Sequence, residues 1–273
     1  MTTDRAPLPA GVDGLPPLPS AAEFALRDGL VGLGLDDLPE SARVALRDHL
    51  RLLLAWTVAV NLTAVREPVA AVRSLTLDAL AAVPVLRAAG VEAFLDLGSG
   101  GGLPGIPLAV ALPARAALLV ESVAKKARFL AAAVAVAGLT DRVSVAAGRA
   151  ETLAADPGHR ERWPAVTARA LAPLPDLIEL AFPLLAPGGL LLAWKSAGQL
   201  DERRRALAAV AALGGGTIEV IPAGLAHAPA HVLVAVRKVG RSAGRWPRPP
   251  AERRRHPWQA PGQPRGPSRP LLR

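Results

Sequence analysis

Phe94-Leu95-Asp96-Leu97-Gly98-Ser99-Gly100-Gly101-Gly102-Leu103-Pro104-Gly105 is the stretch on which the reading of this chain turns. A short apolar run with one acidic residue leads straight into a glycine cluster. Pro104 and Pro107 then mark the first turn of a new element, Pro104-Gly105-Ile106-Pro107-Leu108-Ala109-Val110-Ala111-Leu112. Proline is tolerated there because the first N–H groups of a helix have no intrahelical partner. The order is strand, glycine turn, helix. It gathers backbone N–H groups and a helix N-terminus at one point, which suits an anionic or polar, nucleotide-like ligand.

Two ligand classes fit such a start, dinucleotides and S-adenosyl-L-methionine (SAM). Gly100-Gly101-Gly102-Leu103-Pro104-Gly105 matches G-x-G-x-x-G by letter, but its register is wrong. The strand ends at Leu97, so the first turn glycine is Gly98 and the third glycine position falls on Leu103. Asp96-x-Gly98-x-Gly100-x-Gly102, with an acid two places before the first glycine, is instead the pattern of SAM-dependent methyltransferases. Gly98, Gly100 and Gly102 let a ligand lie against the backbone where side chains would collide. Asp96 either holds the end of the loop or reaches the cofactor's amino group through water.

The next strand ends at Leu118-Leu119-Val120-Glu121. An acid here, about 20 residues past the glycine turn, can accept hydrogen bonds from both ribose hydroxyls. NAD and SAM share that feature, and a solvated strand-end acid is the plain alternative. Gly148-Arg149-Ala150-Glu151 follows the third strand, in the loop that lies against adenine in such folds. Glu151 suits equally well a helix N-terminal acid favoured by the dipole. Arg169 and Lys195 close the fourth and fifth strands, where ligands of open α/β sheets bind. Arginine is common in this chain and a surface role is its usual meaning, whereas lysine occurs only four times.

Around this centre the chain has four parts. Residues 1–19 are Pro/Gly-rich and predict a disordered leader. Residues 20–90 predict helices: Ser20 with Glu23 as a capping box, a helix opened by Pro39-Glu40-Ser41, and a third stretch after Pro68. Residues 91–239 alternate strands (92–97, 115–121, 143–147, 164–168, 189–194, 217–221, 231–237) with helices (105–112, 124–137, 173–185, 199–213). That is an α/β domain with a mostly parallel, doubly wound, seven-stranded sheet, its last two strands forming an antiparallel hairpin at the edge. Residues 240–273 are Arg/Pro/Gly-rich and predict a flexible tail.

Composition narrows the classes further. Of a net charge of +9, the segment 239–273 supplies +8, from nine arginines against Glu252. The remainder is near neutral, which argues against a broad basic face but not against a local basic pocket. Absent cysteine excludes disulfides, zinc–thiolate clusters and thiol nucleophiles. The apolar runs near 129–139 and 184–194 are too short to span a bilayer. The N-terminus lacks the order of a signal peptide, so a cytoplasmic location is expected. Within the tail, Arg253-Arg254-Arg255-His256-Pro257-Trp258 is either a disordered end or a phosphate-binding, base-stacking segment.

Taken together these residues resemble the bacterial 16S ribosomal RNA (guanine-N7) methyltransferase family, long called glucose-inhibited division protein B. The match runs from about 40 to 238. It includes Asn61-Leu62-Thr63-Ala64-Val65-Arg66, Asp78, Asp96 through Leu108 with its Gly-Leu-Pro-Gly-Ile-Pro-Leu run, Glu121-Ser122, Lys125-Lys126-x-Arg128-Phe129-Leu130, Arg149-Ala150-Glu151, Arg169-Ala170 and Lys195. The resemblance implies a Rossmann-like class I SAM-dependent methyltransferase with an N-terminal helical extension. Its cofactor is then S-adenosyl-L-methionine and its partner the 16S ribosomal RNA of the small subunit. No metal and no membrane are expected, and the protein is expected to be a monomer. By resemblance Gly98, Leu103, Ala150, Glu151 and Arg169 are cofactor-site positions and Lys195 is a cleft residue near the target base; Arg169 and Lys195 are the expected catalytic residues, holding the guanine O6 edge or a nearby phosphate. Two departures fall on the RNA side. Family members usually carry Arg-His where Ser74-Leu75 stand here, and again where Ala230-His231 stand. A small-molecule or protein methyltransferase, or a non-catalytic SAM- or RNA-binding module, are the competing readings.

Overall fold

The computed structural model describes residues 8–112 and 116–260. Among them are seven strands: β1 (Ala93–Leu97), β2 (Ala116–Glu121), β3 (Val143–Ala147), β4 (Trp163–Arg169), β5 (Leu185–Ser196), β6 (Gly216–Pro222) and β7 (His231–Lys238). They form one sheet in the order β3-β2-β1-β4-β5-β7-β6. β1 to β5 pair in parallel, and β7 runs antiparallel between β5 and β6, as the alternating pattern predicts. Strand order reverses between β1 and β4. The connections leaving those two strands diverge and open a crevice beyond their carboxyl ends.

The central strands are covered on both faces, and alternation sorts their side chains. On β1, Phe94 packs toward the N-terminal helices, α6 (Gly105–Ala111) and α7 (Ala124–Val136). Leu95 and Leu97 pack the other way, with α8 (Ala150–Ala155), α9 (Leu174–Ala181) and α10 (Arg203–Ala212). Asp96 therefore shares the Phe94 face, under α6. The N-terminal region comprises α1 (Ser20–Gly32), α2 (Glu40–Thr57), α3 (Pro68–Ala71), a π-helical stretch Val72–Leu77, α4 (Asp78–Leu80) and α5 (Val83–Ala88). It is joined to the sheet domain by one core. Trp56 of α2 meets Phe129 of α7 edge-on at 5.4 Å, a geometry worth about 0.5–1.5 kcal/mol beyond the area it buries. The run Pro68–Ala88 is long and apolar enough to cross a membrane, yet 67% of its most apolar window is buried in this core.

Three expectations are corrected. The capping box at Ser20 does not form. Pro19 is the N-cap, so Ser20 is already helical and no side chain caps the helix, while Glu23 faces Arg47 of α2 at 3.4 Å. Residues 8–19 are not a loose leader. Arg51 of α2 donates to the carbonyls of Val12, Leu15 and Pro16, the Trp56 indole donates to Pro9 O at 2.7 Å, and Leu18 is buried. The third correction concerns the tail, which is packed on the body through residue 260 and contains a short helix, α11 (Pro250–Arg255). Residues 1–7 and the tail arginines Arg265, Arg269 and Arg273 lie outside the described residues.

Candidate active site

The glycine loop is held from beneath by Asp96. This carboxylate is fully buried; its Oδ1 accepts the Thr167 hydroxyl at 2.7 Å and its Oδ2 accepts the Gly105 N–H at 3.2 Å. Register explains the first contact, since Asp96 and Thr167 are paired across β1 and β4. The second requires glycine, because a Cβ at Gly105 would lie 2.4 Å from Leu119 Cδ2 and 2.8 Å from Asp96 Oδ2. Of the two roles expected for Asp96, the geometry supplies the loop-holding one. Burial pushes its pKa up to about 6, against hydrogen bonds from Thr167 and Gly105.

Gly98 begins the loop with φ +71°, a conformation that L-residues with side chains rarely adopt, and a Cβ there would meet Leu171 Cδ1 at 2.7 Å. The far side of the loop rests on a residue that sequence reasoning missed. His49 of α2 is buried and donates from Nε2 to Gly101 O at 2.8 Å, leaving Nδ1 with no partner among the described residues. Burial lowers its pKa to about 4, although the Gly101 bond acts the other way. A signal was present. His49 lies on the stripe Ala45, Leu46, His49, Leu50, Leu53 and Trp56 that α2 buries, and a polar residue on such a stripe needs an inward partner.

Glu121 closes the β2 end. Its Oε2 accepts the Gly100 N–H at 3.0 Å and its Oε1 accepts the Val123 N–H at 2.8 Å, so both oxygens are engaged and the residue is 6% exposed. It is thus part of the loop's scaffold and not the solvated strand-end acid.

A cavity of about 420 Å³ lies beyond β1, β2 and β3, a size suited to a small organic ligand. It is lined by Leu97, Gly98, Val120, Ala150, Glu151 and Leu171, among others. Of the expected site residues the structure brings Gly98, Ala150 and Glu151 together on its wall. Asp96, Gly100, Gly102, Leu103, Glu121, Arg169 and Lys195 do not line it. Glu151 does begin a helix, but its Oε1 meets Arg253 at 2.5 Å.

Arg169 and Lys195 stand beside the cavity with protein partners. Arg169 donates to Ser74 O at 2.6 Å and Leu75 O at 3.4 Å, and its Nε lies 3.3 Å from Asp78 Oδ2. The bonds at the first departure from the family pattern are thus made by main-chain carbonyls, which Ser74 and Leu75 supply as well as any residue. Asp78 also accepts His231 Nδ1 at 2.7 Å through Oδ1, and its carbonyl accepts the Trp194 indole at 2.8 Å. Lys195 reaches Ala172 O at 3.0 Å and Glu202 Oε2 at 3.2 Å. The Asp78–His231 and Lys195–Glu202 partnerships were not read from the sequence. The first joins segments 153 positions apart that only folding brings together, and the second closes the short turn after β5.

The family model described as rRNA small subunit methyltransferase G matches residues 43–224. The protein named ribosomal RNA small subunit methyltransferase G from Roseiflexus sp. (strain RS-1) is 39% identical over 217 residues, covering 80% of this chain and 91% of the relative. The protein of the same name from Sorangium cellulosum (strain So ce56) is 42% identical over 207 residues, covering 74% and 82%. Among solved structures, an O-methyltransferase from Bacillus cereus in complex with SAH is 18% identical with a TM-score of 0.46, covering 83% of this chain and 94% of that one.

Proposed function

The chain belongs to the rRNA small subunit methyltransferase G family and is a SAM-dependent methyltransferase of guanine N7 in 16S ribosomal RNA, and we propose that its cleft works by positioning alone. Guanine N7 is an in-plane acceptor that carries no proton, so the transfer needs no general base. When bound, SAM supplies a methyl group activated by its sulfonium. The N7 lone pair would accept that methyl group while its former bonding pair stays with sulfur, so no residue has to move a proton. The residues then have to align the two partners and exclude water, which is where most of the rate gain of such a reaction lies.

In this reading Gly98, Ala150 and Glu151 form the cavity wall against the cofactor. Asp96, Gly100, Gly102, Leu103 and Glu121 build the loop that shapes it, with Glu121 placed to exchange the Gly100 N–H for ribose hydroxyls. Arg169 and Lys195 serve the RNA side. They are held beside the cavity and not in it, and a cation pressed on the purine would oppose the charge that develops there. The observation that carries the assignment is that Gly98, Ala150 and Glu151 share one cavity at the β1 and β3 ends, while Arg169 and Lys195 lie outside it. We read the enzyme as cytoplasmic, where its ribosomal RNA substrate is, and as a monomer; light scattering that showed a dimer would correct this.

The direct test incubates the protein with labelled SAM and undermethylated small ribosomal subunits, then maps N7-methylguanine by chemical strand cleavage. Label at one guanine of 16S ribosomal RNA is expected. Label confined to protein or to small molecules would refute the substrate assignment.

A further inference from the structure

We propose that residues 241–258 are a built-in wall of the cofactor cavity, and that Arg253 is a positioning residue that sets Glu151 for the adenine end. The inference rests on the cavity being the SAM site. It replaces the picture of a flexible basic tail.

The strap is anchored by charge at two places. Arg160 donates to the carbonyls of Ser242, Ala243 and Trp246 at 3.0–3.2 Å. Glu179 of α9, with no exposed surface, accepts four donors: Arg248 Nε at 2.9 Å, its terminal nitrogen at 2.6 Å, its backbone N–H at 2.8 Å, and the Trp258 indole at 2.7 Å. Charge-assisted bonds of this kind are the strong ones and fix geometry. The Arg248 guanidinium lies 5.3 Å from the Trp246 ring centre and 4.8 Å from that of Trp258.

This anchoring delivers Pro250, Arg253, Arg254 and Pro257 to the cavity wall. Arg253 bonds Glu151 at 2.5 Å, with side chains only 14% and 20% exposed. Glu151 is thereby held in one orientation with its charge balanced, on the turn that faces adenine. The strap lies beyond residues 43–224, so the family match does not account for it. Arg241, Arg248 and Arg253 are engaged by Glu161, Glu179 and Glu151, and that part of the tail's charge serves the body.

The test measures S-adenosylhomocysteine affinity by calorimetry on the full chain. Arg253→Met is expected to weaken it about tenfold, with Arg253→Lys recovering part of the loss. Arg255→Met, at an exposed residue off the cavity wall, should stay within about twofold. For SAM, KM rises in Arg253→Met while kcat holds, and the unliganded melting temperature stays within about 2 °C, which a merely structural role would not produce. Independently, ligand should slow tryptic cleavage at Arg253-Arg254-Arg255 in the unmodified protein. Unchanged affinity in Arg253→Met, or no protection of the strap at saturating ligand, overturns the proposal while leaving the SAM site intact. An unmodified, folded chain that binds no S-adenosylhomocysteine removes the cofactor reading instead.

Discussion

His49 and Asp96 approach the same glycine loop from α2 and β1, and burial moves their titrations in opposite senses. His49 is pulled down to about 4. As pH falls from 6.5 toward 4 the unfolded chain takes a proton that the folded chain refuses, and stability drops. Asp96 is pushed up to about 6. As pH falls from 6 toward 3.8 the folded chain takes its proton first, and stability rises. The two contributions act over overlapping pH ranges and oppose each other. Asp96→Asn removes one arm. Its unfolding free energy, measured by denaturant titration, should fall between pH 7 and 5 by about 1 kcal/mol more than that of the unmodified protein; parallel slopes would refute the pairing. At the other end of the loop, Gly98→Val places a branched side chain at φ +71° and against Leu171. It should abolish S-adenosylhomocysteine binding in calorimetry, and retained affinity would exclude Gly98 from the cofactor wall.

Among the elements, the π-helical stretch Val72–Leu77 presents two carbonyls to the end of β4, and Arg169 ties the two together. Lys195 at the end of β5 does the same for the turn before α9, through Ala172 O and through Glu202, which also accepts the Leu174 N–H. Both ties border the cavity without entering it. Arg169→Ala and Lys195→Ala should therefore reduce methylation of small subunits about 10- to 100-fold while changing S-adenosylhomocysteine affinity less than about threefold. Equal loss in both assays would move these residues to the cofactor side. The glycine loop, the strand-end acids and the βα alternation were legible because each is a pattern within 5–20 consecutive residues. The partners of Arg169 were not, since Leu75 and Ser74 lie 94 and 95 positions away.

For the molecule as a whole, residues 8–19 and 241–258 are bound to the body of the protein. Arg248→Met leaves the fully buried Glu179 carboxylate without its guanidinium, and loss of one partner of a buried pair costs about 3 kcal/mol. Thermal and denaturant unfolding of that variant should show a loss of this size; a change under about 0.5 kcal/mol would mean that the strap is not held by charge. Sequence by itself determined the strand–glycine–helix start, the register that favours SAM over a dinucleotide, the strand series and the acids at the strand ends. Those follow from local periodicity, from positions that exclude a side chain, and from the direction in which a strand feeds a helix. Tertiary structure decided that residues 8–19 are packed, that His49 supports the loop, and that Pro250, Arg253, Arg254 and Pro257 line the cavity. Composition averages over a segment, and an Arg- and Pro-rich average predicts disorder. Docking here depends instead on a few charged groups whose partners lie far away in the chain, and no average over the segment contains them.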